Sequence, residues 1–409
     1  MPPRAGLRSA VLLLALAACG ASSPAPPVDR CAAVSCGGHA SCLPSSGRCG
    51  CDPGFLADAT GACQQSVVPA VGGCALFPAD HLFNTPIDAL PVHPQSAAFL
   101  ATIGAHRLHL DMGRTVDQAT VDTYWGIPYN VVDGAALGWT PVRYFTTDGG
   151  ADQLGWDPRP ESDCVEAGAT GRVISPCTAA AAPHPAFPIP AAPLVEGGID
   201  RTASQPYGDH HLLLLDSSAC RLWELYHVYP DASSGWDVYG SATWDLASNA
   251  LRPDGWTSSD AAGFPILPLL LRADEAAGGA IRHALRFTIP SNKIRIGHAW
   301  PARHDTSNGT SSTSLPPMGA LFRLKAAYAI PPGFSTQSRA ILQAMKTYGL
   351  YLADGGSALF VQGEPSAGWD EAIWSEVQSI GSDALEAVDL SPFTARAGWS
   401  ADSARVPPP

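Results

Sequence analysis

The chain is poor in charge. Only 15% of its 409 residues are Asp, Glu, Lys or Arg, and acids outnumber bases to leave a formal charge of −13. Phosphate backbones are held by clustered cations, so nucleic acid is excluded as the main partner. Long apolar runs are scarce as well. Beyond the first 18 residues no stretch approaches the ~20 apolar residues that a membrane-spanning helix requires. Also missing are a GxSxG elbow, a P-loop, a GxGxxG opening and an HExxH pair. The hydrolase, nucleotide-binding, dinucleotide-binding and metalloprotease classes that depend on them are disfavoured.

Glycine (40) and proline (38) are abundant, which favours a turn-rich β protein over a helical bundle. Eleven cysteines fit an oxidising compartment. At the start, Arg4 and Arg8 precede a short apolar run, and residues 1–18 read as a signal peptide. The run ends in Leu16-Ala17-Ala18-Cys19, which resembles the lipobox of bacterial lipoproteins. That resemblance implies cleavage before Cys19, lipidation of Cys19, and a lipid-anchored protein of the bacterial cell envelope, at the outer membrane or cell surface. Ten cysteines then remain, an even number that can all pair.

Residues 19–30 form a polar, Pro-containing tether. Residues 31–64 carry Cys31, Cys36, Cys42, Cys49, Cys51 and Cys63, too dense a set for a hydrophobic-core domain. Spacing alone leaves fifteen pairings open. With its C-x-C and the following CDPGF, the segment resembles an EGF-like module. The resemblance implies the pairs Cys31–Cys42, Cys36–Cys49 and Cys51–Cys63, and a spacer or a protein-contact surface. Val28-Asp29-Arg30 departs from the calcium-binding subtype, so no calcium is expected.

After a linker at 65–73, residues 74–409 read as one main domain. Cys164 and Cys177 lie close enough to clip a loop, and Cys74–Cys220 follows by elimination. Strand patterns fill the middle: HHLLLLD, RLWELYHVY, WDVYGSATWDL, IRHALRFTI and KIRIGHAW. Helical patterns occupy 94–105, 335–356 and 368–380, and the Pro-rich 183–198 reads as a surface loop. The expected fold is mainly β, an antiparallel sandwich or jelly-roll-like core with a few peripheral helices.

Two hairpins carry the candidate chemistry. In the first, closing the turn at Ser217-Ser218 sets Leu213 opposite Leu222 and His211 opposite Glu224, a base with its orienting group or two metal ligands. No cofactor is expected, and a metal at this pair is the alternative. In the second, pairing Leu285 with Ile296 and Phe287 with Ile294 sets His283 opposite His298. Its other face then collects Arg282, Arg286, Lys293 and Arg295, suited to a carboxylated or sulfated polymer. Arg303 and His304 follow in a Ser/Thr/Gly-rich loop. Asp245, Asp254, Asp260, Asp274 and Glu275 offer carboxyls for glycoside chemistry. Trp223, Trp236, Trp244, Trp256 and Trp300 offer stacking platforms, Trp300 lying nearest the substrate-binding set.

The run GWTSSDAAGFPILPLLLRADEAAGGAIRHALRFT is similar to a pattern of secreted bacterial proteins of unassigned function, and the similarity implies no activity. The reading is a carbohydrate-active surface lipoprotein, a hydrolase or lyase on a polysaccharide. In a lyase Arg286 or Arg303 would neutralise the substrate carboxyl. In a hydrolase two acids would act with Glu224. The alternative is a non-catalytic adhesion or ligand-binding lipoprotein. Convergence of His211, Glu224, His283, His298, Arg303 and His304 on one open cleft beside unpaired acids would support an enzyme built on them; scattered, individually satisfied side chains would leave a binding module.

Overall fold

A computed structural model describes residues 30–43, 47–51, 55–57, 62–65, 67–114, 126–145, 154–155, 161–165, 173–177, 185–199, 209–231, 235–305 and 309–408. The expected signal segment, Cys19 and all of the expected tether except Arg30 lie outside them. The chain is mainly strand in several sheets, with few helices. Cys31–Cys42 and Cys36–Cys49 form the bonds implied by the resemblance, and Cys63 is also disulfide-bonded. The side chain of its expected partner, Cys51, is outside the described residues. Cys74–Cys220 and Cys164–Cys177 form as expected.

The stretch LLLLD explains the centre of the molecule. Leu212–Asp216 is buried at every position, because the four-stranded sheet that contains it has a core on each side. Leu213, Leu215 and Leu222 face the larger core, with Ala242 and Trp244. Leu212, Leu214, Trp223 and Leu225 face the smaller one, with Val142, Tyr144 and Phe187. The sheet runs Gly240–Asp245, Arg221–Tyr226, Leu212–Asp216, Tyr129–Val132, and the last pairing is parallel.

The first hairpin forms, but two residues out of the expected register. Leu213 pairs with Glu224 and Leu215 with Leu222, so the turn is Ser217 to Cys220. Asp216 sets it: its Oδ1 accepts from the Ser218 amide at 3.0 Å, the Ser218 hydroxyl at 2.6 Å and the Gly134 amide at 2.9 Å. A shift of two preserves which face each side chain takes. The expected His211–Glu224 opposition is lost, and His211 instead stacks obliquely on Tyr226, ring centroids 5.4 Å apart.

The second hairpin does not form. Leu285–Ile289 is interior to a six-stranded sheet, parallel to Leu350–Gly355 on one side and antiparallel to Phe360–Gln362 on the other. A short 3-10 turn, Ser291–Lys293, redirects the chain, and Arg295–His298 pairs with Pro317–Met318. His283 and His298 are therefore not partners, and the four cations share no face. The three largest sheets all contain parallel pairs, which corrects the antiparallel expectation.

The 335–356 pattern divides. Ser335 caps a helix, Thr336–Thr347, by accepting from the Ser338 amide, and Leu350–Gly355 continues as a strand. Gly349 makes the break at φ 79°, where an added Cβ would meet the Phe322 carbonyl oxygen at 2.5 Å. The other expected helices form as Ser96–Ile103 and Ala372–Val377. The Pro-rich 183–198 is no surface loop: Ala186–Phe187 is a strand, and Phe187 and Val195 are fully buried.

Candidate functional site

A cavity of about 490 Å³ opens where the four-stranded sheet meets one end of the six-stranded sheet. Strand pairing brings its parts together. His211 directly precedes Leu212–Asp216, Tyr226 ends the neighbouring strand, and Gly240 pairs with Tyr226 at the start of the next. Asp354 and Gly355 end Leu350–Gly355 in the other sheet. A tight turn, residues 257–263, closes the wall between them. There the Asp260 Oδ1 accepts from the Ala262 amide at 2.9 Å, and the Ser258 hydroxyl donates to the Phe264 carbonyl at 2.7 Å.

His211 is held as a cation. Its Nδ1 faces the Glu196 Oε2 at 2.5 Å and its Nε2 the Ser259 carbonyl at 2.8 Å, and both partners can only accept. Burial alone would push its pKa down. The Glu196 carboxylate overrides burial, and the imidazole rises to about 9. A ring engaged at both nitrogens is no free base at neutral pH. Glu196 is the orienting acid that Glu224 was expected to be.

Glu224 lies behind the wall with no exposure. Both its oxygens accept from the Ile266 amide at 2.9 Å, and Oε1 also accepts from the Leu267 amide at 3.0 Å, so the carboxyl caps the short 3-10 turn Leu267–Leu269. Burial pushes it up to about 7 against those bonds.

A second ion pair braces the wall. The buried Arg286 guanidinium donates to the Asp260 Oδ2 and to the Gln362 side chain, and Asp354 lies 3.9 Å from the same guanidinium nitrogen that holds Asp260. Asp354 is left the less compensated carboxyl. Burial and then the Asp260 charge raise it to about 7. Behind the wall Asp111 rises to about 6, by burial and then by the Glu196 charge. Exposed Asp209 lies at the cavity edge, 3.4 Å from the Tyr226 hydroxyl.

Of the six expected catalytic residues only His211 and His304 line the cavity, so the expected convergence of all six does not occur, and an enzyme would have to draw on other side chains. The His304 Nδ1 lies 2.9 Å from the Ala261 carbonyl oxygen. Arg303 turns away to Asp402 at 2.9 Å and the Ala401 carbonyl at 2.7 Å. His298 meets exposed Asp254 at 2.9 Å. His283 is sealed against Glu275 at 2.9 Å and Arg272 at 3.2 Å. Of the expected binding residues, Arg286 is buried in the wall, Arg282 is exposed, and Arg295 is half-buried in its own strand. The Trp300 Nε1 donates to the Ser403 carbonyl at 3.0 Å. Trp223 and Trp244 are core residues. Arg252 lies over Trp256, while Trp236 packs against the smaller core. Among the candidate acids only Asp260 lines the cavity.

The spacing arguments missed Glu196, Asp209, Asp354, Tyr226 and Tyr239. Two signals were available: Glu196 is the only acid of the Pro-rich 183–198, and Asp209 directly precedes the His210-His211 pair. Among the described residues no group of three or more His, Cys, Asp or Glu is arranged to hold a metal. Comparison with family profiles, curated proteins and solved structures returned no match for this chain.

Proposed function

We propose that this chain is a lipid-anchored protein of the bacterial cell envelope whose main domain binds and hydrolyses a polysaccharide in the 490 Å³ cavity. One observation carries the reading: the cavity wall combines carboxyls (Asp209, Asp260, Asp354), two tyrosines (Tyr226, Tyr239) and the hydroxyls of Thr257 to Ser259. Carboxyls and hydroxyls bind sugar hydroxyls, and aromatic rings stack on sugar faces. Glycoside hydrolysis needs a protonated acid beside an ionised carboxylate. Asp354, raised to about 7, suits the acid, and Asp209 at the exposed cavity edge is the candidate second carboxyl, although burial and then the Glu196 charge raise it as well.

Hydrolysis is favoured over elimination. A lyase needs a free cation to neutralise a substrate carboxyl, and Arg286 and Arg303 are both engaged by aspartates. The test is incubation of the purified chain with a polysaccharide panel. Release of saturated reducing ends is expected; unsaturated ends would indicate a lyase, and no product would overturn the hydrolase.

The engaged His211 nitrogens favour a second reading, a non-catalytic ligand-binding lipoprotein with a protein-contact surface in its EGF-like module. Under it calorimetry detects oligosaccharide binding without product. The anchor is tested separately: Cys19→Ala is expected to abolish labelling by a fatty-acid probe, and persistent labelling would refute it.

A further inference from the structure

The two histidines of the cavity differ in what their ring nitrogens meet. His211 has both engaged, by Glu196 and by the Ser259 carbonyl. His304 has one. Its Nδ1 lies 2.9 Å from the Ala261 carbonyl oxygen, which only accepts, so the ring proton sits on Nδ1. In the neutral ring Nε2 then carries the lone pair. No group among the described residues meets Nε2, and it is not sealed from solvent.

Backbone contacts fix that ring in place. The His304 amide donates to the Ala262 carbonyl at 3.3 Å, and the Arg303 amide donates to the same oxygen at 2.8 Å. The Arg303 side chain, turned away to Asp402 and the Ala401 carbonyl, anchors the segment. Gly263, at φ 75°, permits the close approach: an added Cβ would lie 3.1 Å from the Arg303 Cβ and 2.7 Å from the Trp256 carbonyl oxygen. A proton acceptor held by packed neighbours is already in position when a reactant arrives.

Asp354 is tied to the same residue. Its Oδ2 accepts from the Ala261 amide at 3.2 Å, while the Ala261 carbonyl accepts from the His304 Nδ1. Ala261 thus holds a carboxyl by its amide and an imidazole by its carbonyl, and all three residues line the cavity. His304 and Asp354 form no ion pair with each other. Direct displacement by water needs such a gap between an acid and a base.

We infer that the His304 Nε2 is the base that deprotonates the attacking water, with Asp354 as the acid, so that hydrolysis inverts the anomeric carbon. This rests on the hydrolase reading above and takes the role of base from Asp209. In the step, a water proton passes to Nε2 as the water oxygen bonds to the anomeric carbon. The bond from that carbon to the glycosidic oxygen breaks, its electron pair stays on the oxygen, and the Asp354 proton joins it. The imidazolium then returns its proton to the Asp354 carboxylate through solvent.

The experiment assays reducing-end release by the full chain on the polysaccharides of the panel, with thermal melts verifying each fold. His304→Asn puts an amide where Nδ1 stood, able to donate to Ala261, and nothing where Nε2 stood. It is expected to lose activity by about 100-fold or more, the scale of one positioned base, and Asp209→Asn to lose less than about tenfold. In His304→Ala, added imidazole is expected to restore activity about tenfold or more, which a merely structural role would not allow. Proton NMR of fresh products is expected to show the inverted anomer. A folded His304→Asn within about threefold of the unaltered chain, a folded His304→Ala that imidazole does not rescue, or a retained anomer would overturn His304 as the base. Each of those outcomes leaves the hydrolase reading standing. No cleavage of any polysaccharide by the unaltered chain would overturn both.

Discussion

Two buried ionic clusters in this chain use the same residue types and differ in what they face. In the sealed cluster, Arg272 donates to Glu275 at 2.7 Å and to the Leu267 carbonyl at 3.0 Å. His283 in the same cluster joins Glu275 to the Ala284 carbonyl. In the cavity cluster, Glu196 with His211 and Asp260 with Arg286 form matched pairs, while Asp209 and Glu161 line the open volume with no cation at ion-pair distance among the described residues. Buried charge is tolerated where it is paired. The less compensated carboxyls support the site proposed at the cavity.

Removing one partner of the sealed cluster should have the largest effect. Glu275→Ala leaves Arg272 and His283 buried without their acid and is expected to cost ~3–5 kcal/mol in denaturant unfolding. A loss under about 1 kcal/mol would mean that the cluster is solvated rather than sealed.

Solution pH should separate the two clusters. Glu275 is pushed up by burial but pulled down to about 2 by Arg272 and His283. Its stabilisation is therefore full above its ordinary 4.5 and lost as pH falls toward 2. His211 works in the opposite sense. Its pKa rises from 6.5 to about 9, so its stabilisation is full below 6.5 and lost as pH climbs through 9. Carboxyls raised to about 7, such as Glu224 and Asp354, lose stability lower, between about pH 4 and 7. Glu196→Gln is expected to flatten the alkaline decline, which amounts to ~3 kcal/mol in full. An unchanged slope of melting temperature from pH 7 to 9 would contradict the His211–Glu196 assignment.

Smaller effects sharpen the contrast. His298→Ala breaks a pair with exposed Asp254 and should cost no more than ~1 kcal/mol. Ser259→Ala removes a hydroxyl without a partner among the described residues and should change stability by no more than ~0.5 kcal/mol.

The parts legible in the sequence were those set by local pattern. The LLLLD run, the face each of its residues takes and the capped helix at Ser335 depend on residues near one another in the chain, whereas the module's bonds came from the resemblance and Cys74–Cys220, 146 residues apart, from elimination. The hairpin slipped by two because Asp216 recruits Ser218 and, across the fold, Gly134, which no strand pattern encodes. The second hairpin failed for a different reason. Apolar residues alternate with Arg286 in Leu285–Ile289, which suggests a half-exposed strand. Arg286 is in fact buried, its charge answered by Asp260 from a distant turn. Parallel pairing with Leu350–Gly355 leaves no local signature either. His211, Asp260 and Asp354 reach one cavity from three separate segments, and Glu196 meets His211 from a fourth, so spacing could not find them together.

On the hydrolase reading, chemistry resides in this cavity and not at the other histidines. The most direct measurement compares saccharide-releasing activity in Asp354→Asn and His298→Ala against the unaltered chain, with melting curves to verify folding. Activity is expected to fall by a factor of about 100 or more in Asp354→Asn, the scale of one positioned acid, and to be retained in His298→Ala. Activity retained in Asp354→Asn and lost in His298→Ala would contradict that reading.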